Sequence, residues 1–521
     1  MKQPEVAQSR RGGLRLLVVV CTAFAAVVVN DASADVFPNS DGSGELSSTA
    51  AWGSPAWFST TSPYGNSAYN LELDAAGTYT ITGNVAFAKL VNNLPKNKEA
   101  VIDCTTVESR PKVSLTGLQG NSTANNIHGT VFRLKGGDWD LGGGTVDYST
   151  YFASNRKIVL DDYAVVTNVG DLNLAKTTLM SNEVVLLKGS KMFVSGAVSL
   201  CARKDGSFLR VTGGSTFYHA GASGKNFQTG TGANSQDTYS YSSGRNGIIV
   251  SNANSRAFIA MGSGAYFYLG NGVAGGLLHV TDHAYVQVGA NLRIANAGQL
   301  ATTGPIGSNA LVRVEGGGCL CTDQAVYLPY GPTFGDIPGG NRFEVLADSA
   351  YTNKDHNAFY LREKGNAFVV SNGIAAVGNI SVTGTGNEIV LQGVKPQFVC
   401  TAGTGHGFQL GSGNCIRFEI PPAGYAPDLV PVVSDKNVVF DEGSNLEISG
   451  LPAVLSQMAR DGVKTKTMTL MEVSGKFTGM DSVVAAIEEA HALPEGCSLS
   501  VSGKQLNLTC TVKQGFTLIF R

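Results

Sequence analysis

A strand-sized apolar unit recurs along the middle of the chain, and a chain that repeats such a unit can bury it only by stacking copies on one another. The copies are "IVLDDYAVV" from residue 158, "LRVTGGSTF" from 209, "FIAMGSGAY" from 258, "LHVTDHAYV" from 278, "VRVEGGGCL" from 312, "FEVLADSAY" from 343 and "FVVSNGIAA" from 368. Each has an apolar pair two residues apart, a usually small residue four later and usually an apolar one six later. Leu160, Val211, Ala260, Val280, Val314, Val345 and Val370 hold the second apolar position, at intervals of 51, 49, 20, 34, 31 and 25 residues. The unit therefore carries variable loops and leaves room for copies that the pattern does not display. Alternation with period two, broken by Gly, Asn, Asp and Ser, is the signature of short strands. An antiparallel sandwich is the competing arrangement, but continuity over more than 200 residues favours stacking. The reading is all-β: a right-handed parallel β-helix over residues 70–415, preceded by an N-terminal segment or cap at 35–69.

Composition suits this. Charged residues make up 15% of the chain and glycines number 65, against roughly 25% and about 7% in ordinary globular proteins. A formal net charge of -2 gives no steering toward nucleic acid or an anionic membrane. Residues 1–34 read as a secretory signal: Arg10, Arg11 and Arg15 precede an apolar run from Leu16 to Val29, and Ala32-Ser33-Ala34 forms a cleavage pattern ahead of Asp35. No later stretch reaches the roughly 18 to 20 apolar residues of a membrane helix. The expected product is a secreted or cell-surface protein.

Residues 416–521 read as a small α+β C-terminal capping domain. Helices are expected at "LPAVLSQMAR" (451–460) and "DSVVAAIEEAHAL" (481–493), the second N-capped by Asp481, with strands at about 465–473, 497–502, 505–511 and 516–520. His491 reads as a surface residue. In "GCSLSVSGKQLNLTC" a two-residue Gly503-Lys504 turn of type II′ sets Val501 opposite Leu506, Leu499 opposite Leu508 and Cys497 opposite Cys510. Cys497 and Cys510 then form a non-hydrogen-bonded pair within disulfide range, and export permits the bond. Pairings of Cys104, Cys201, Cys319, Cys321, Cys400 and Cys415 stay open. Cys319 and Cys321 share a strand face but lack partners for a tetrahedral metal set.

Strand-loop-strand units such as "LLHVTDHAYVQVGANLRIANAGQL", behind a signal peptide, resemble the β-helical passengers of bacterial autotransporter-like proteins and pectin-lyase-like secreted proteins. The resemblance spans about residues 70–415. An autotransporter also ends in a membrane β-barrel, whereas about 100 residues with helical patterns follow the repeats here. Gly405-His406-Gly407 is similar to a tripeptide of polygalacturonase-like hydrolases, whose histidine works beside aspartates. Here no aspartate lies between Asp355 and Asp428, and Asp161 and Asp162 stand about ten coils away. A lyase of this resemblance would bind calcium through acidic groups, and "GGDWDLGGGTVDY" offers Asp138, Asp140 and Asp147 for it. No nucleophile elbow, phosphate loop or zinc motif occurs. The sequence thus shows no catalytic constellation and requires no cofactor.

Two long loops remain. "FYHAGASGKNFQTGTGANSQDTYSYSSGRNG" (217–247) and "YLPYGPTFGDIPGG" (327–340) intersperse Tyr218, Phe227, Tyr239, Tyr241, Arg245, Tyr327, Tyr330 and Phe334 among small polar residues. Rigid aromatics in an adaptable polar setting suit recognition, including stacking on sugars. The expectation is a non-enzymatic, adhesin-like interaction or structural protein contacting a glycan or a cell-surface protein. The competing expectation is a polysaccharide lyase or glycoside hydrolase of the pectin-lyase-like type.

Overall fold

Apolar residues alternate along most strands, and a strand whose every second side chain is apolar must cover one of its faces. In the computed structural model those side chains meet in one interior running the length of the stack. The structure describes residues 35–36, 43–48, 59, 61–120, 129–148, 155–175, 182–200, 206–230, 246–270, 275–295, 308–330, 339–354, 357–401 and 406–512. The expected leader, Tyr239, Tyr241, Arg245, Phe334 and the strand expected at 516–520 lie outside these residues.

The strands form three long sheets, called I, II and III here, of 16, 15 and 17 strands. Sheet I begins with Asp35–Val36, sheet II with Ser43–Glu45 and sheet III with Tyr64–Asn66. The chain visits I, II and III in rotation, and each strand pairs in parallel with its equivalents one coil away. This is a parallel β-helix. Residues 35–69, expected as a cap, already supply the first strands of all three sheets.

The repeat maps onto sheet II. Leu160, Leu186, Val211, Val250, Val280, Val314, Val345 and Val370 stack directly in register. Leu186 and Val250 are the unrecognised copies, and they split the 51-residue gap and the long stretch before Val280. Ala260 is misassigned: it follows Arg256–Ile259 of sheet III, at the turn toward sheet I. The apolar-small-apolar spacing occurs at both corners, so the pattern alone does not separate them.

Corners carry the backbone problem, because a turn buried between coils must still pair its N–H and C=O groups. Between sheets II and III two successive residues take positive φ: Asp162 and Tyr163, Lys188 and Gly189, Gly213 and Gly214, Asp282 and His283, Gly316 and Gly317. The Gly-Gly pairs fit because only glycine enters this region at no steric cost. Stacked turns then bond from coil to coil, as in Tyr163 N–H to Lys188 O (3.0 Å) and Gly189 N–H to Gly213 O (2.9 Å).

A different device serves the corner from sheet I to sheet II. Asn341, Asn366, Asn387 and Asn414 are all buried there. Each side-chain amide donates to the carbonyl oxygen of the next: 2.8 Å from Asn341 to Asn366, 3.2 Å to Asn387 and 3.0 Å to Asn414. The same oxygens accept the backbone N–H of the preceding asparagine, at 2.9 Å for Asn366 and 3.0 Å for Asn387. The sequence signal is Gly-Asn in "GGNRF", "KGNAF", "TGNEI" and "SGNCI", with the glycine at positive φ each time. Loop length varies at this corner: residues 230–246, 295–310 and 329–341 intervene in three coils, but only 362–366 and 383–387 in two others.

The stack does not stop at residue 415. Cys415–Glu419 and Asn445–Ser449 continue sheet II, and Val438–Phe440 and Phe477–Thr478 continue sheet I. The expected α+β domain is therefore the last coils plus a cover. Helix α1 (Leu451–Arg460) buries Leu451, Val454 and Met458, and helix α2 (Met480–Glu489) buries Met480, Val483, Val484 and Ile487. Gly479, at φ +77, caps α2 in place of Asp481, which sits in the first turn where its charge still suits the helix dipole. Thr465–Val473 joins sheet III, and the hairpin Cys497–Ser502 and Gln505–Thr511 adds to it antiparallel, ending the parallel stack.

The hairpin register matches expectation: Cys497 faces Cys510, and Gly503 at φ +59 starts the turn. Thr511 N–H donates to Gly496 O at 2.7 Å, which makes the adjacent Cys497–Cys510 pair the non-hydrogen-bonded kind. Their sulfurs lie 3.4 Å apart as free thiols.

Two predictions follow from the interior. Asn387→Ala strands the Asn366 N–H and two carbonyls, Glu363 O and Thr383 O, so denaturant unfolding should show a loss of roughly 3 kcal/mol; a loss below about 0.5 kcal/mol contradicts the ladder's role. His219 is fully buried, with Nε2 2.8 Å from Gly196 O and Nδ1 accepting the Ala260 N–H. Burial pushes its pKa down to about 4, against the Gly196 hydrogen bond. An unfolded imidazole titrates near 6.5, so as pH falls the unfolded state takes the proton first. The neutral histidine's stabilisation is full above pH 6.5 and is lost between 6.5 and about 4, amounting to about 3 kcal/mol. Melting temperature should fall through this window, less steeply in His219→Gln; parallel curves would contradict the assignment.

Candidate functional site

Outward positions of sheet I line up one per coil, because parallel coils keep register at about 4.8 Å. One such row reads Gln228, Tyr268, Arg293, Tyr327, Tyr360 and Ser381. Every member but Gln228, which precedes Thr229, stands between two buried apolar neighbours, as in Phe267-Tyr268-Leu269, Leu292-Arg293-Ile294, Val326-Tyr327-Leu328 and Phe359-Tyr360-Leu361. Tyr266, Tyr330 and Arg362 flank the row.

The rings and guanidinium groups interlock. Tyr327 and Tyr360 stack with centroids 4.9 Å apart and planes 14° from parallel. Tyr330 meets Tyr327 edge-on at 5.2 Å. The Arg293 guanidinium lies 3.7 Å from the Tyr266 ring centre and 4.0 Å from that of Tyr330, and it donates to the Tyr268 hydroxyl at 2.9 Å. Arg362 lies 4.3 Å from the Tyr360 ring and 5.3 Å from Tyr327. All seven side chains are half-buried, so ring edges and hydroxyls face outward from a fixed scaffold. Burial raises the Tyr268 and Tyr327 pKa values, which keeps both phenols protonated and able to donate. Such a surface can stack on a sugar ring and hydrogen-bond its hydroxyls.

Of the residues expected to bind, Tyr327 and Tyr330 belong to this platform. Tyr218 lies elsewhere, on the outer face of sheet III, in a stripe with Phe193, Phe258 and Tyr285 at ring spacings of 6.0 to 6.2 Å. Phe227 is no recognition residue: it is fully buried, because it is the inward residue of the sheet I strand Phe227–Thr229 and packs on Phe267 at 5.2 Å. Tyr266, Tyr268, Arg293, Tyr360 and Arg362 escaped the sequence reading. Aligning the apolar-Tyr-apolar and apolar-Arg-apolar triplets would have found the row.

The calcium candidates do not converge. Asp138 pairs with Arg110 at 2.9 Å, and Asp140 accepts from Gly142 N–H and from Asn168 at 2.9 and 2.8 Å. Asp147 lies in sheet I, across the corner from these two. Among the described residues no group of three or more His, Cys, Asp or Glu could hold a metal ion. His406 is exposed at the turn into Phe408–Leu410. Cys400 and Cys415 are buried free thiols in different sheets, and Cys319 and Cys321 are also free thiols.

Three carboxylates do gather at the end of sheet II, where it turns toward sheet III. Lys135 reaches Asp103 at 3.0 Å and Asp162 at 3.6 Å, Lys188 reaches Asp162 at 3.3 Å and Asp161 at 3.7 Å, and Arg133 reaches Asp161 at 3.0 Å. Burial pushes the Asp103 carboxyl up, yet hydrogen bonds from Thr105 and Lys135 outweigh it and hold the group below its ordinary range. The hydrogen bond to Asp103 chiefly raises the Lys135 pKa. A lysine held as a cation is a poor proton acceptor, so the cluster is suited to cross-coil ion pairing rather than to base catalysis.

No described helix is long and apolar enough to cross a membrane. Comparison with family models, with curated proteins and with solved structures finds no match.

The thiol pair yields a prediction. In an oxidising compartment Cys497 and Cys510 should close a disulfide, since strand register already sets them opposite each other; peptide mapping that recovers both as free thiols from exported protein would contradict it.

Proposed function

We propose that the chain is a secreted, non-enzymatic, adhesin-like surface protein that holds a saccharide on the tyrosine–arginine platform of sheet I. One observation carries this reading: five tyrosines and two arginines from four coils share one outer face, fixed by strands and by contacts to one another. The leader-like N-terminus and the resemblance to autotransporter passengers support display outside the cell. The platform also borders a corner at which loop length varies, where a scaffold can change its ligand without disturbing its core.

A panel of neutral and acidic polysaccharides tests this. The chain from Asp35 onward should be retained on at least one polymer without releasing products, and Tyr360→Ala should weaken retention about tenfold, the effect of losing one aromatic contact worth about 1.4 kcal/mol. Binding by no polymer, or unaltered binding by the variant, contradicts it.

A second reading, a lyase or hydrolase of the pectin-lyase-like type, would have to use the Asp103, Asp161 and Asp162 cluster in spite of the ion pairs that engage all three carboxylates. Under that reading the panel shows new reducing ends or unsaturated products, and Asp161→Asn abolishes them.

A further inference from the structure

The outer arginines of sheets I and II are held in two different ways. Those of sheet II are neutralised by acidic residues: Arg133 by Glu99 and Asp161, Arg210 by Glu183, Arg313 and Arg342 by Glu344, and Arg417 by Glu388 and Glu447. On sheet I the partners are tyrosines. Neither Arg293 nor Arg362 has an acidic partner among the described residues, and both are held against aromatic rings. The Arg293 Nε is buried with no hydrogen-bond partner.

From this contrast we infer that the platform selects anionic saccharides, with Arg362 contacting a carboxylate or sulfate and Arg293 fixing the tyrosines around it. The inference rests on the saccharide-platform reading and adds its charge preference. A guanidinium stacked on a ring keeps its N–H edge free for an oxyanion while its flat face stays desolvated, and half-burial strengthens the attraction. Arg293 is the less accessible of the two roles: Tyr266 and Tyr330 cover its faces and Tyr268 takes one of its protons, so it acts by holding those rings. Arg362 is covered on the Tyr360 side, and no hydrogen bond of its guanidinium is present among the described residues.

Matched polymers isolate the effect of charge: dextran, carboxymethyl-dextran and dextran sulfate, measured by biolayer interferometry on the chain from Asp35 at two salt concentrations. One or both charged polymers should bind at least tenfold more tightly than dextran, and less tightly as salt rises. Arg362→Gln should bring that binding down to the dextran level, and Arg362→Lys should restore part of it, with an unchanged melting temperature in each. A preference for one charged polymer over the other identifies carboxylate or sulfate as the anion recognised. Equal binding of all three, or an unaffected Arg362→Gln, overturns the anion preference. If a neutral polymer from the wider panel binds in a Tyr360-dependent way while neither charged dextran does, the preference falls and the platform stands. If no polymer of any kind is retained, both fall.

Discussion

Coil-to-coil register depends on satisfying the backbone at the corners. Strands along the faces pair through their own ladders, but a chain that turns three times per coil carries bends whose polar groups face other bends. Between sheets II and III, paired residues of positive φ turn the chain tightly enough for one coil's N–H to meet the next coil's carbonyl. Between sheets I and II, buried asparagines do the same with their side chains. An unsatisfied buried amide costs about 1 to 3 kcal/mol, comparable to burying one valine or leucine. Each unsatisfied corner amide therefore cancels about what one inward apolar side chain contributes.

From that register the outer surface acquires its meaning. Residues some 20 to 40 positions apart become neighbours at strand spacing, so each outward row is a composite that no single segment contains. On sheet II the row is a ladder of ion pairs, which neutralises itself. On sheet I the row is tyrosine and arginine, whose charge is held against rings and has no acidic partner among the described residues. On sheet III the stripe of Phe193, Tyr218, Phe258 and Tyr285 has Arg256 exposed beside Tyr285 in the strand register, with no guanidinium stacked on its rings among the described residues. The three faces share one scaffold and differ in chemistry, and among the described residues sheet I is the face whose arginines, free of acidic partners, are stacked on rings.

Much of the scaffold was legible in the chain. Inward apolar positions such as Leu160, Val280 and Val370 announced the stack because burial imposes a strict period of two. The hairpin at Cys497 and Cys510 was legible because a two-residue turn fixes register from within. Ala260 misled, since a small residue flanked by apolar ones marks two different corners. Asparagine was read only as a turn residue, although Gly-Asn before four successive strands was the signal for a buried ladder. The platform was half visible through Tyr327 and Tyr330, which are close in sequence. Its other members come from neighbouring coils, and their proximity exists only once the register is known. Phe227 was misread because an aromatic within a polar, glycine-rich stretch looks exposed until its strand is recognised.

Hydroxyl-radical footprinting of the chain with and without a retained polysaccharide tests the central claim most directly, since it reports which face the ligand covers. The account predicts that oxidation of Tyr327, Tyr330 and Tyr360 slows on binding while Tyr218 and Tyr285 on sheet III react as before. Protection confined to sheet III, or a ligand that leaves the sheet I tyrosines as reactive as in the free protein, would contradict it.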